Sequence, residues 1–160
     1  IAALRPLIVA TDYVGAEIPT AILTQQLLHT NPTNRMALEF LMAHYMVTVQ
    51  TDKFMDHLHR IRAVPYREMP RLYQEMAVLA ARLKKTPLPD LAGLSVREET
   101  QQRFERFDEV VRANLSNLET VRPALARDHG DTYWFFFLYE HSATWQGRTP
   151  QKQHEHRTAY

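Results

Sequence analysis

Histidines are the residues of this chain best suited to metal chemistry, and the chain has eight of them. A metal site on a helix needs ligands three or four positions apart, so that they project from one face. No two histidines have that spacing. His57 and His59 are two positions apart and diverge, and Asp56 with His59 is a single i,i+3 pair. We therefore predict no specific metal site and no cofactor, and only nonspecific uptake of nickel or zinc by His154 and His156.

The carboxylates and hydroxyls are not arranged as in a typical active site. Glu98 and Glu99 are adjacent, and adjacent residues on a helix point about 100° apart, so they do not converge. The absence of cysteine excludes cysteine catalysis, disulfides and thiolate ligands. Glycine-rich phosphate loops and Gly-x-Ser-x-Gly motifs are also absent. We expect a protein that is not an enzyme. The alternative is a small helical enzyme or ligand-binding domain with a pocket near His44 and Tyr45.

The charged residues indicate solvated helix faces. Nineteen basic and 18 acidic residues give a net charge of +1. Arginines alternate with acids, as in Arg103-Phe104-Glu105-Arg106, and no basic stripe of the nucleic-acid-binding type appears. We therefore expect no nucleic-acid partner.

The elements that would position these residues are helices. One helix is predicted from Pro19 to His29, a second from Asn34, its N-cap, to Gln50, and a third from Thr51 or Asp52 to Arg62. Helices joined by such short turns fold back on each other. Strand-like alternation of apolar residues is absent. The sequence predicts an all-α fold of stacked antiparallel hairpins, with six or seven helices in one domain over residues 1–160.

The second and fourth helices are expected to form much of the core. The second helix is apolar nearly all round, which predicts that it is the most buried helix, with Phe40 and Leu41 inside. The fourth helix is predicted from Tyr66 to Lys84, with an apolar stripe of Leu72, Met76, Leu79, Ala80 and Leu83.

The second half of the chain carries the clearer boundary signals. Residues 86–94, rich in proline, form a loop that can act as a hinge, and Ser95 with Glu98 is a capping-box pattern before a fifth helix. A second pattern of this kind, Ser116 with Glu119, predicts a new start or a kink there. Pro123 predicts that a sixth helix begins fully only near it. The polar tail, 143–160, is expected to pack weakly.

An aromatic run from Tyr133 to Tyr139 is the remaining unusual feature. We expect Trp134 to be buried against the helix that holds Phe104 and Phe107, and Asp131 to cap the aromatic helix through its carboxylate. The alternative is an exposed aromatic patch, because tryptophan and tyrosine dominate interface hot spots. The residues predicted to bind a partner are His44, Tyr45, Trp134 and Tyr139.

The start of the chain predicts that more sequence precedes it. Residues 1–14 are apolar but interrupted by Arg5 and Pro6, lack the layout of a signal peptide, and do not begin with Met. We expect a fragment or a processed form. No run approaches the 18 consecutive apolar residues typical of a membrane span.

Residues 28–61 resemble a degenerate tetratricopeptide repeat. Pro32 stands at that family's inter-repeat proline, and the apolar and aromatic positions of the pattern correspond to Leu38, Leu41, Tyr45 and Phe54. The chain departs from the family where small residues are expected, at Met42 and His57, and no 34-residue period is evident. The resemblance implies a peptide-binding or protein-binding helical scaffold.

Residues 20–140, with NPTNRMALEFLMAHYMVT and GDTYWFFF, are also similar to an uncharacterised family of Bacteroidetes proteins. That resemblance implies a soluble C-terminal region behind membrane-spanning segments, and therefore membrane association through a preceding region. It carries no activity and no catalytic residue. Taken together, the sequence predicts a non-enzymatic interaction domain that binds a peptide, a protein or its own preceding region.

Overall fold

The computed structural model describes residues 20–91 and 93–140, and within them it contains seven α-helices and no strand. The helices are α1 (Thr20–Thr30), α2 (Arg35–Val47), α3 (Thr51–Leu58), α4 (Arg71–Lys84), α5 (Glu98–Ala113), α6 (Leu118–His129) and α7 (Tyr133–Phe135). A 3-10 turn, His59–Ala63, continues α3, and a π-helical turn, Phe136–Glu140, continues α7. The predicted all-α fold is confirmed. Predictions that concern residues 1–19 and the tail 143–160 lie outside the described residues.

Helices that are consecutive in the chain pack against each other, from α1 with α2 to α6 with α7. The exception is α4, which contacts α7 as well as α3 and α5. The stacking of these helices as repeated antiparallel hairpins stays a prediction. No helix in the described part is long and apolar enough to cross a membrane.

The turn from α1 to α2 is fixed by two asparagines. Asn31 Oδ1 accepts hydrogen bonds from the backbone nitrogen of Thr33, at 3.2 Å, and from its hydroxyl, at 2.9 Å. Asn34 Oδ1 accepts from the backbone nitrogen of Ala37 at 3.0 Å, which satisfies a donor that has no partner within the helix. The predicted cap at Asn34 is therefore confirmed.

The prediction that α2 is the most buried helix is wrong. One face of α2 is buried, but Phe40 is 58% exposed, whereas Leu41 is fully buried. The most buried helix is α4, in which every residue from Tyr73 to Ala81 is buried. The physical reason is the number of neighbours: α2 packs mainly on α1 and α3, whereas α4 is surrounded by three helices.

The fourth helix begins five residues later than expected. It starts immediately after Pro70, whose extended backbone (ψ 139°) serves as the N-cap, so Tyr66 lies in the preceding loop. The predicted stripe is correct at Met76, Leu79 and Ala80 and wrong at its two ends, where Leu72 and Leu83 are about half exposed. The sixth helix starts at Leu118, within the Ser116–Glu119 pattern that predicted a new start or a kink. The prediction that it begins fully only near Pro123 is wrong, because Pro123 lies in its interior.

A buried glutamine replaces the capping box predicted before α5. Gln74 Nε2 donates to the carbonyl of Met69 at 2.7 Å. Its Oε1 accepts from the backbone nitrogen of Arg97 at 2.9 Å and from the hydroxyl of Thr100 at 3.0 Å. Ser95 is exposed, and α5 has no side-chain cap from its own N-cap residue. The start of α5 is thus held by a side chain of α4.

The turn before α7 corrects one prediction and confirms another. The cap is Thr132, whose Oγ1 accepts from the backbone nitrogen of Phe135 at 3.3 Å, and not the carboxylate of Asp131. Trp134 is 1% exposed, and its ring centroid lies 5.3 Å from that of Phe104. The predicted burial of Trp134 against α5 is therefore confirmed.

Two further features concern the end of α2. The hydroxyl of Tyr133 donates to the carbonyl of Met46 at 2.6 Å, which joins α7 to α2. Val49, in the turn after α2, has φ 53°. A β-branched residue rarely adopts this left-handed conformation, because its side chain crowds the backbone.

Candidate functional site

The predicted pair His44 and Tyr45 lies where the first three helices meet. Tyr45 is 1% exposed, and its hydroxyl accepts a hydrogen bond from Gln25 Nε2 at 2.7 Å. Its ring centroid lies 5.2 Å from that of His57 on α3 and 5.9 Å from that of the half-buried His44. Tyr45 therefore links α1, α2 and α3 from inside the core.

The other predicted pair, Trp134 and Tyr139, lies at the opposite end of the described chain. Tyr139 is buried, its hydroxyl donates to the carbonyl of Leu118 at 2.9 Å, and the guanidinium of Arg122 lies 5.2 Å from its ring centroid. In the described part, no hydrogen bond or ring contact joins this pair to Tyr45. The four residues thus form two separate groups, and their partner-binding role stays a prediction.

An exposed apolar stripe lies on α2. It comprises Met36, Phe40, Ala43 and Val47, at intervals of four, three and four residues, so that all four project from one side of the helix. Met36 is 63% exposed, Phe40 58% and Val47 68%. Single exposed apolar residues are common, whereas a continuous exposed row of this kind is typical of an interaction surface. We call these four residues the α2 stripe.

A group of ion pairs surrounds the start of α7. The buried carboxylate of Glu75 accepts from Arg71 Nε at 2.7 Å. The carboxylate of Asp131 accepts hydrogen bonds from Nη2 of Arg103, at 2.5 Å, and from Nη2 of Arg71, at 2.7 Å. The hydrogen bond from Arg103, with a smaller contribution from Arg71, lowers the pKa of Asp131 to about 2. This group of charges links α4, α5 and the turn before α7.

Burial affects a neighbouring histidine. His129, at the end of α6, is buried, and its ring centroid lies 5.5 Å from that of Phe107. Burial lowers the pKa of His129, and the nearby Arg103 lowers it further. His129 is therefore a neutral core residue at neutral pH.

Three of the clefts on the described surface show what the helices bring together. The first, of about 370 Å³, lies between α4 and α5, where Asp108 on its rim pairs with Arg82 and Arg112. The third, of about 170 Å³, is lined by Arg71, Glu75, Arg97, Glu99, Thr100, Arg103 and Trp134. Acids and arginines are mixed in both, and His44 and Tyr45 line none of the three clefts.

The second cleft, of about 350 Å³, differs in its charge. We call it the arginine cleft, and it is lined by Arg62, Val64, Tyr66, Arg67, Leu91, Gly93 and Leu94. Its lining contains two arginines and no acid. Within the part of the chain that the structure describes, no group of three or more histidines and carboxylates is placed to hold a metal ion.

Sequence reasoning missed both the α2 stripe and the arginine cleft. The sequence did contain a signal for the stripe, because α2 has more apolar residues than one buried face can accommodate. The cleft had none, because it joins Arg62 and Arg67 to Leu91, Gly93 and Leu94, which are about 30 positions away. That proximity depends on how the loops fold around α4.

Comparison with known proteins identifies one family. A profile described as a family of unknown function, DUF6057, matches residues 2–140. No curated protein and no solved structure matches the chain significantly. Because the match spans most of its length, the chain belongs to the DUF6057 family of unknown function.

Proposed function

We propose that this chain is a non-enzymatic helical interaction domain, and that the α2 stripe is its binding surface for an apolar segment. The observation that carries the proposal is the exposure of Met36, Phe40 and Val47 in one row. Covering such a row removes apolar surface from water, which is the main favourable term in protein association.

The occupant that we propose is the apolar segment at the start of the same chain. Residues 1–14 contain Leu4, Leu7, Ile8 and Val9 and carry only two charges, on Arg5 and Asp12. The family match begins at residue 2, so this segment belongs to the same matched unit as the helices. The occupant differs from the predicted one, which was a region preceding Ile1, because residues 1–14 are part of the chain itself.

Chain length and connection allow this arrangement. Residues 1–19 span up to about 60 Å when extended, and α1 and α2 together are about 36 Å long. Only five residues, 15–19, separate the segment from α1, and the first turn of α1 carries Ile22 and Leu23, which are 47% and 39% exposed. Covalent attachment gives the segment an effective concentration of about millimolar, so a modest apolar contact is sufficient for docking.

Thiol labelling of the full 160-residue chain tests this proposal, because the chain has no cysteine of its own. Phe40→Cys places a thiol in the α2 stripe. Leu115→Cys is the matched control, since Leu115 is a similarly exposed apolar residue, at 67%, outside α2. We expect a maleimide to label Phe40→Cys at least about fivefold more slowly than the control, because docking protects the stripe.

A second set of variants identifies the occupant. Substituting Leu7, Ile8 and Val9 together by Asn should raise the labelling rate of Phe40→Cys to that of Leu115→Cys, with no change at Leu115→Cys itself. Equal rates for the two thiols in the unsubstituted chain would refute docking by this segment. Slow labelling that survives the triple substitution would assign the protection to something else, such as a second copy of the chain.

A further inference from the structure

We infer that the arginine cleft is a binding site for the C-terminal carboxylate of a peptide. The inference is independent of the α2 stripe. It rests on Arg62 and Arg67, which line the same cleft and are both exposed.

The two arginines are free to bind a ligand. Most described arginines are paired with acids, for example Arg35 with Glu39, at 2.7 Å. Neither Arg62 nor Arg67 has an acid partner within the described residues. A planar guanidinium binds a carboxylate through two parallel hydrogen bonds, and two guanidiniums in one cleft favour an anion strongly.

None of the three acids that could neutralise the cleft, Glu68, Glu39 and Asp90, lines it. Glu68, next to Arg67, lies 3.7 Å from Arg97. Glu39 accepts from the hydroxyl of Tyr66 at 2.8 Å and also binds Arg35, so its charge is already compensated. Asp90 is not part of the lining. The cleft therefore keeps a local positive charge.

The remaining walls expose little apolar surface, so the charge of the two arginines is the main recognition feature of the cleft. Val64 and Leu91 are buried beside the cleft, and Leu94 is half buried. Gly93 has φ 98°, a conformation that only glycine adopts readily, and it shapes the loop that forms this wall. The volume of about 350 Å³ is at the small end of ligand sites. The C-terminal carboxylate of a peptide fits this combination of size and charge.

Nuclear magnetic resonance of the full chain tests the site. The probe is acetyl-Leu-Leu with a free carboxylate, and the comparison compounds are the same peptide as its C-terminal amide and inorganic phosphate. We expect saturable shifts of the backbone N–H signals of residues 62–64, 66, 67, 91, 93 and 94 with the free carboxylate, at a Kd of about millimolar. The amide should bind at least about tenfold more weakly, because it lacks the charge that the arginines recognise.

Charge-matched variants complete the test. Arg62→Gln with Arg67→Gln should weaken binding of the carboxylate at least about tenfold, with an unchanged unfolding midpoint because both residues are exposed. Arg106→Gln is the control, since Arg106 is an exposed arginine on α5 without an acid partner in the described part, and it should leave binding unchanged. Absent shifts, equal binding of the amide, or equal loss with Arg106→Gln would overturn the inference. Tighter binding of phosphate would replace the carboxylate with a phosphate ligand and overturn it as stated.

Discussion

Glu75 Oε2 lies 2.7 Å from the backbone nitrogen of Tyr133, so a carboxylate in the middle of the chain holds the start of α7. The other oxygen of Glu75 accepts from Arg71. Glu75 is 1% exposed, which makes it an exception among charged residues, since these are seldom buried without partners. Its two hydrogen bonds satisfy the carboxylate and attach α7 to α4.

Replacing Glu75 by Ala should lower the free energy of unfolding by about 2–3 kcal/mol, because the N–H of Tyr133 would lose its partner inside the protein. Urea denaturation followed by circular dichroism measures this change. Glu99→Ala is the control, since Glu99 is exposed, and it should change the free energy by less than about 0.5 kcal/mol. Equal effects of the two substitutions would contradict the structural role of Glu75.

Trp134→Ala should lower the free energy of unfolding by about 3–5 kcal/mol, because deleting a large aromatic side chain from a core removes its packing contacts. The side chain packs against Phe104 and Phe107 of α5, and its removal leaves a cavity in the core. Leu115→Ala, at an exposed site, is the control. An unfolding midpoint for Trp134→Ala close to that of the control would show that Trp134 is not part of the core.

The pH dependence of stability should reveal the ion pairs of Asp131. Its pKa is lowered from 3.8 to about 2 in the folded state, so the stability that it contributes is present above pH 3.8 and is lost as pH falls through about 2. The loss of stability in Asp131→Asn, measured by denaturation, should therefore be constant near neutral pH and shrink toward pH 2.

A double-variant background checks the origin of that effect. When Arg71→Gln and Arg103→Gln are already present, Asp131→Asn should have almost the same effect at neutral pH and at low pH, because the interactions that lower the pKa are gone. A pH-dependent difference that persists in this background would assign the effect to other groups.

Val49→Gly should raise the free energy of unfolding by about 1 kcal/mol. Val49 has φ 53°, which is strained for a β-branched residue and unstrained for glycine. Val47→Gly, two residues earlier and inside α2, is the control and should lower stability, because glycine is unfavourable in a helix. A loss of stability in both variants would show that Val49 contributes more by packing than it costs by strain.

Local signals in the sequence predicted most of the helices but not their relative burial. The N-cap at Asn34 and the inner positions Met76, Leu79 and Ala80 of α4 could be recognised from short-range patterns, and the structure has them as expected. The burial of α4 could not be recognised in this way, because it depends on contact with α7, which lies about 60 residues later in the chain.

The caps show the same limit. Ser95 and Asp131 have the right side chains for capping, but both helix starts are held by other residues, namely Gln74 and Thr132. Asp131 instead meets two arginines that are distant in sequence. The arginine cleft and the ion pairs of α7 both arise from such long-range proximity, which a single sequence does not encode in any local pattern.

The hydrogen bond from Tyr133 to Met46 affects how this domain unfolds. In a linear helical array each unit contacts only its neighbours, so units can unravel one at a time from an end. Here the hydroxyl of Tyr133 reaches a carbonyl 87 positions earlier, at 2.6 Å, while the same residue is held by α4. Detaching α7 therefore exposes α2 and α4 together. The helices should therefore unfold in one cooperative transition, because α7 connects the second helix to the fourth.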